Sequence, residues 1–260
     1  MSQGAEPRSP HDAVDSAGQP WAGRSFTPNT AAADDGSADP QLLQVLNGFR
    51  AGTASPEDVV AAFRNARLLI PLLAHAGELG TAPDGHLVDK TQELSIVTVA
   101  GPDGRKVLPA FTSVQTLAAW DPKARPVPAV GPRVALAAAS EQTELIVIDP
   151  TSPTEFVLRR PAVYALATGE DWVAPYRDQA IRAAFERALS EEPDALGLEL
   201  TAADPAQRLQ SAELAVRLRL RAGLEPEALR QLVARLSARW GTTPEIANGV
   251  DSMTLQLVGD

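Results

Sequence analysis

The clearest hydrophobic pattern lies near the C-terminus. Leu196, Leu198 and Leu200 alternate with Gly197, Glu199 and Thr201, and Leu214, Val216, Leu218 and Leu220 alternate with Glu213, Ala215, Arg217 and Arg219. Alternation predicts two half-buried strands, each with one face in the core and one in water. Asp204-Pro205 between them is a turn signal. From Glu225 to about residue 239 the period becomes helical, with Leu229, Leu232, Val233 and Leu236 on one stripe. Leu255 and Leu257 mark a final strand. The order strand, strand, helix, strand over residues 193–260 predicts a small antiparallel sheet covered by one helix. Just before it, residues 178–192 hold an amphipathic helix with Ile181, Ala184, Phe185 and Leu189 on one face. That helix either links two domains or opens the second.

The middle of the chain, residues 66–177, reads as strands between short helices. Residues 67–74 (RLLIPLLA) form an unbroken apolar run, which marks a buried strand. Pro71 inside the run predicts an edge position or a bulge. Residues 93–100 and 106–111 flank Gly101-Pro102-Asp103-Gly104, a hairpin signature. Thr112 or Ser113 then caps a short helix carrying Val114, Leu117 and Trp120. A strand near 127–130, an alanine-rich helix over 132–140, strands at 144–148 and 155–158 and a helix over 161–168 follow. The whole is an α+β protein, with a central mixed sheet and helices ahead of the smaller antiparallel sheet.

Two further helices precede this region, over residues 41–65. Asp39-Pro40 starts the first, and Ser55-Pro56-Glu57-Asp58 starts the second with a capping serine, a proline and first-turn acids. Residues 1–40 read as a disordered acidic tail. Their large apolar side chains are Val14, Trp21 and Phe26, too few to offset a backbone ordering cost of roughly 1–2 kcal/mol per residue. The stretch from Trp21 to Phe26 is either a short docking motif or two stray aromatics.

Composition narrows the function. The net charge is −10, the opposite of what a nucleic-acid or anionic-membrane binder carries. No apolar run reaches the roughly 20 residues that span a bilayer. The first residues lack the hydrophobic stretch of a secretory signal, and cysteine is absent. These features predict a cytoplasmic protein without disulfides or thiolate metal sites.

No catalytic constellation assembles from the sequence, and no motif asks for a cofactor. The histidines are His11, His75 and His86, and none has metal-ligand spacing. No G-x-S-x-G, phosphate loop or dinucleotide fingerprint occurs. Ser113 reads as a helix cap, and Asp149, after a buried strand and before Pro150, reads as a turn residue. Phe111, Thr112, Ser113, Asp149 and Trp172 are nevertheless the candidates for a binding or ligand site in the central domain. Arg217, Arg219 and Arg221 share the wet face of one strand and form a positive stripe, with Arg208 near it. The stripe either receives an acidic partner or covers apolar surface with its stems.

The runs Val107-Leu108-Pro109-Ala110-Phe111-Thr112-Ser113 and Leu117-Ala118-Ala119-Trp120 resemble the N-terminal domain of SseB, the enhanced serine sensitivity protein. So do Arg125-Pro126-Val127-Pro128, Gly131, Leu145-Ile146-Val147-Ile148-Asp149-Pro150 and Phe156-Val157-Leu158-Arg159-Arg160-Pro161. The resemblance spans roughly residues 65–175. The region after it has the position and pattern of an SseB C-terminal domain, and the helical pair before it looks like an actinobacterial-style extension. The resemblance implies no catalytic residue and a regulatory or accessory role. Three readings follow. One is a non-enzymatic cytoplasmic binding protein with a protein partner. Another is an enzyme or small-ligand domain around the central candidates. The third is an assembly chaperone that uses the helical pair. Neither the partner nor the oligomeric state is set by these features.

Overall fold

The computed structural model describes residues 34–75, 79–81, 87–89 and 93–259. Most of the predicted tail, and the side chains of all three histidines, lie outside the described residues. The tail's last residues do make contacts: the Gly36 carbonyl accepts the Val114 N–H at 2.9 Å. Two capped helices follow, α1 (Pro40–Arg50) and α2 (Pro56–Asn65). Asp39 accepts the N–H groups of Gln41 and Leu42 at 2.9 and 3.0 Å. Ser55 and Asp58 form a reciprocal capping box.

The central region runs in the order β1 (Arg67–His75), β2 (Leu79–Thr81), β3 (Leu87–Asp89), β4 (Glu93–Ile96), β5 (Val99–Ala100), β6 (Lys106–Ala110), α3 (Val114–Trp120), β7 (Arg125–Val130), α4 (Gly131–Ser140), β8 (Ile146–Ile148), β9 (Phe156–Leu158) and α5 (Arg160–Thr168). One antiparallel ladder is β4-β1-β7, and a mixed ladder is β5-β6-β8-β9, with β6 and β8 parallel. Leu69 and Phe111 exchange N–H···O bonds of 2.8 and 2.9 Å and join the two ladders into the expected central mixed sheet.

Pro71 sits neither on an edge nor in a bulge, because β1 has neighbours on both sides. It pairs with Pro126 of β7, and its carbonyl accepts the Val97 N–H. It therefore falls where the other side of β1 changes partner from Phe111 to β4, a gap that needs no donor. Pro126 and Pro128 are placed as edge chemistry requires. Leu69 turns its polar groups to Phe111, so by alternation Leu68 and Ile70 turn theirs to β7. Pro126 and Pro128, opposite Pro71 and Leu69, then face the open edge.

Alternation divides the sheet's side chains between two layers. Leu68, Ile70, Leu108, Ala110, Ile146, Ile148, Phe156 and Leu158 enter the main core. Val107, Val147 and Val157 face the opposite way, against Leu145 and Leu209. The apolar stripes of α1 and α2 (Leu42, Leu46, Val59, Val60, Phe63) are buried in the main core with Val134, Ala135 and Ala138 of α4. Gly131 admits this contact: a Cβ there would lie 2.2 Å from the Phe63 carbonyl oxygen. The helical pair is thus a structural part of this unit and not an appendage.

The C-terminal region contains α6 (Gln179–Leu189), β10 (Ala195–Ala202), β11 (Leu214–Leu220), α7 (Pro226–Thr242), α8 (Pro244–Gly249) and β12 (Met253–Gly259). Its sheet is mixed, not purely antiparallel: β10 and β11 are antiparallel, but β11 and β12 are parallel. The length of α7 explains this. Seventeen residues at about 1.5 Å each return the chain past a seven-residue strand to the end where it began. Three helices cover the sheet where one was expected. Ile181, Phe185 and Leu189 of α6, Leu232, Leu236 and Trp240 of α7 and Ile246 of α8 share one core with Leu214, Val216, Leu218 and Leu220. The helix α6 therefore opens this unit and is no mere linker. On α7 the buried line runs through Trp240, not Val233.

Two positions depart from the simple alternation. Leu196 is exposed because the register slips between Ala195 and Gly197. Gly197 has φ +158°, and a Cβ there would lie 2.9 Å from Arg219 Nη2. Glu213 and Ala215 were expected on the wet face but are buried. The reason is the β10–β11 connection, residues 203–213, which reaches back to the central sheet. The Gln207 carbonyl accepts the Val157 N–H at 2.8 Å, and Leu209 inserts among Val107, Leu145, Val147 and Val157.

Candidate functional site

Four of the central candidates meet at the ends of β6 and β8. Phe111 is fully buried and packs on Trp120, with ring centroids 5.3 Å apart. Thr112 donates to Asp149 twice, from its N–H to Oδ1 at 2.8 Å and from its hydroxyl to Oδ2 at 2.7 Å. Thr154 donates its hydroxyl to the same Oδ2 at 3.0 Å. Asp149 is completely buried, with φ +44°. Ser113 is the N-cap of α3: its Oγ accepts the Thr116 N–H at 3.1 Å, and Thr116 Oγ1 accepts the Ser113 N–H at 3.3 Å. Both hydroxyls and the Asp149 carboxyl group are therefore committed to closing the sheet end. Ser113→Ala is expected to lower stability by about 0.5–2 kcal/mol, as loss of a capping oxygen does. A urea midpoint equal to that of the unsubstituted chain would rule out the capping role.

Trp172 is not part of this group. It follows α5 and packs against the main core. The arginine stripe is where alternation placed it, but two of its members have acids beside them. Arg217 donates to Glu199 across the strand pair at 2.9 Å, and Arg221 lies 3.1 Å from Asp194. Arg219 lies against Gly197. Arg208 is 3.9 Å from Glu155 of the central region instead.

The sequence reading missed two features. The first is an open groove of about 620 Å³ between α4 and α5. Ala135, Ala139, Leu145, Val163 and Ala167 give it an apolar floor, and Arg105, Lys106, Arg160 and Tyr164 stand along it. Tyr164 is 63% exposed. None of the candidates chosen from the sequence lines this groove. The exposed aromatic in Pro161-Ala-Val-Tyr-Ala was the available signal, but the facing helix is a tertiary fact.

The second is a buried ionic cluster between the central and C-terminal regions. Arg159 donates to Asp204 Oδ2 at 2.7 Å and to the Ser211 carbonyl at 2.8 Å with one nitrogen, and to Asp251 Oδ2 and Ser252 Oγ, both at 3.3 Å, with another. Arg105 grips Asp251 from the other side with two bonds of 2.8 and 2.9 Å. Burial pushes the Asp251 carboxyl up, but the hydrogen bond and charge of Arg105 and the charge of Arg159 outweigh it and hold the group below its usual range.

Residues 42–165 match the family described as SseB protein N-terminal domain. Over this segment the chain carries an SseB N-terminal domain. The SseB match begins at Leu42 and so takes in α1 and α2, in keeping with their place in the main core. Among curated proteins and solved structures, none matches the chain. Among the described residues, no helix is long and apolar enough to cross a membrane, and no group of three or more acidic or histidine side chains could hold a metal ion.

Proposed function

We propose that this chain, with its SseB N-terminal domain, is a non-enzymatic, cytoplasmic binding protein that takes an acidic segment of a protein partner in the groove between α4 and α5. The observation that carries this reading is the groove itself: a floor of small apolar side chains, three cations against one carboxylate, Glu144, along it and one exposed tyrosine. Tyrosine and arginine are the side chains most often found as anchors at protein interfaces. Lys106 draws an acidic segment electrostatically, while the alanine floor leaves room for one apolar side chain between the acids. Arg105 is paired with Asp103 and Asp251, and Arg160 is bonded to the carbonyls of Ala247, Asn248 and Val250. The catalytic alternative has less support, because Thr112, Ser113 and Asp149 are tied into the fold. The chaperone alternative is also weaker, since the apolar stripes of α1 and α2 are already covered. On this reading, residues 178–260 serve as the SseB C-terminal domain.

A peptide-display selection against the whole protein tests the proposal. The expected binders carry acids on both sides of an apolar residue and bind more weakly as salt rises. Tyr164→Ala and Lys106→Glu should each weaken binding about tenfold, the size expected for losing an interface anchor or a charge contact. Binders without acids, or an affinity indifferent to both substitutions, would overturn it.

A further inference from the structure

The connection between β10 and β11 is an unusual piece of backbone. Gln207 and Leu209 both hold positive φ, +49° and +58°. That is a costly conformation for a branched side chain such as Leu209 and persists only where surrounding contacts enforce it. Asp204 supplies several of those contacts: its Oδ2 accepts the N–H groups of Arg208 and Leu209 at 3.0 and 2.7 Å, together with Arg159. Arg50 donates to the Ala206 carbonyl at 2.7 Å. The segment is a strap. It covers the second face of the central sheet with Leu209 and caps the edge of β9 through Val157.

Glu213 closes the strap at its base, where its carbonyl accepts the Ala203 N–H. Its side chain is buried, and one carboxyl oxygen accepts the Asp251 N–H at 2.6 Å. The charged and titratable groups around it come from three directions. Asp251, with Ser252 beside it, lies after α8; Arg159 and Arg160 lie at the start of α5; Tyr176 precedes α6. Neither arginine donates to Glu213. Arg159 is committed to Asp204, Asp251, Ser252 and Ser211, and Arg160 to the carbonyls of Ala247, Asn248 and Val250. A buried carboxyl group beside another carboxylate, with no cation bonded to it, favours its protonated form.

We propose that the strap is a proton-controlled latch: with Glu213 protonated it holds the C-terminal region against the central sheet, and ionisation of Glu213 releases it. Release uncovers the apolar face formed by Val107, Leu145, Val147 and Val157 and frees the edge of β9. Burial, reinforced by the Asp251 carboxylate and opposed by the Asp251 N–H and the charges of Arg159 and Arg160, raises the Glu213 carboxyl from 4.5 to about 7. The closed form therefore keeps a proton that an open, solvated strap gives up. The advantage of closure is complete below pH 4.5, falls as pH rises and is lost above 7. Asp251 moves in the opposite direction and Tyr176 is raised further above its ordinary value of 10.0, so neither titrates in this window.

Amide exchange of the full chain, corrected for intrinsic exchange chemistry, tests the latch at the Val157 N–H. Its opening constant should rise about tenfold per pH unit between pH 5 and 6.5 and level off above 7.5, as release of one proton requires. In Glu213→Gln, which keeps an acceptor for Asp251 but carries no proton equilibrium, the opening constant should not vary with pH. A pH-independent Val157 in the unsubstituted chain, or a pH dependence retained in Glu213→Gln, would overturn the proposal. So would amides of α7 opening in step with Val157, since the event would then be global unfolding. Should Glu213→Gln fail to fold, the Val157 profile and its comparison with α7 decide alone.

Discussion

Replacing Arg159 with alanine is expected to destabilise the chain by about 3–5 kcal/mol, the usual loss when one member of a buried ion pair is removed. Arg159 has a side-chain exposure of 1%, and its partners Asp204 and Asp251 have 4% and 1%. The substitution affects those two acids unequally. Asp251 keeps both bonds from Arg105. Asp204 keeps its backbone donors but loses its cation, and the Ser211 carbonyl loses a donor. The damage should therefore concentrate on the strap. Arg159→Lys should fall in between, because a single ammonium cannot span both acids as the guanidinium fork does. Pairing Arg159→Ala with Asp204→Ala should cost less than the sum of the two, since each already breaks the same contact. Urea unfolding of the unsubstituted chain and these variants reads the result. A loss below about 0.5 kcal/mol, the range of ordinary surface changes, would mean that the cluster does not hold the two regions together.

This ionic cluster also shows where sequence reading stopped. The residues that form it are separated by 45 and 92 positions along the chain. No local pattern marks them, and Glu213 even occupied a position that alternation assigned to water. What the sequence did reveal was periodic or local. The strands around Leu198 and Val216, the α7 stripe, the caps at Asp39, Ser55 and Ser113 and the hairpin at Gly101 were all legible, because each depends on neighbours within a few residues. The helix α8 was missed, although Thr243-Pro244-Glu245 repeats the residue types of Ser55-Pro56-Glu57. The direction of β12 was missed because it depends on the length of the intervening helix, not on the strand itself. Among the candidate residues, Asp149 is hydrogen-bonded to Thr112, which lies between Phe111 and Ser113 in the chain. Their chemistry was less legible, because hydrogen-bonding capacity taken up by the fold cannot be told from free capacity in one dimension. Trp172 was grouped with them on position alone, and packing sent it elsewhere.

Asp149 gives the sharpest test of structural against catalytic chemistry in the central region. Asp149→Ala is expected to cost about 3 kcal/mol or more, because two buried donors and one part-buried donor lose their acceptor, at about 1–3 kcal/mol for each buried group left unsatisfied. Those donors are the Thr112 N–H, the Thr112 hydroxyl and the Thr154 hydroxyl. The backbone adds to the loss, since φ of +44° suits aspartate or asparagine and costs alanine roughly 1–2 kcal/mol. Asp149→Asn should be milder. Its oxygen can still accept the Thr112 N–H, its amide can donate to hydroxyls that rotate to accept, and it tolerates the left-handed backbone. Stability should therefore fall in the order aspartate, asparagine, alanine. Thr112→Val should cost less than Asp149→Ala, and the double substitution should be less than additive, because the valine has already removed one of the stranded donors. A catalytic Asp149 would give a different pattern: alanine and asparagine equally inactive, and both nearly as stable as the unsubstituted chain. Equal unfolding midpoints for all three proteins would thus remove the structural role and return Asp149, with Thr112 beside it, to the list of groups free to do chemistry.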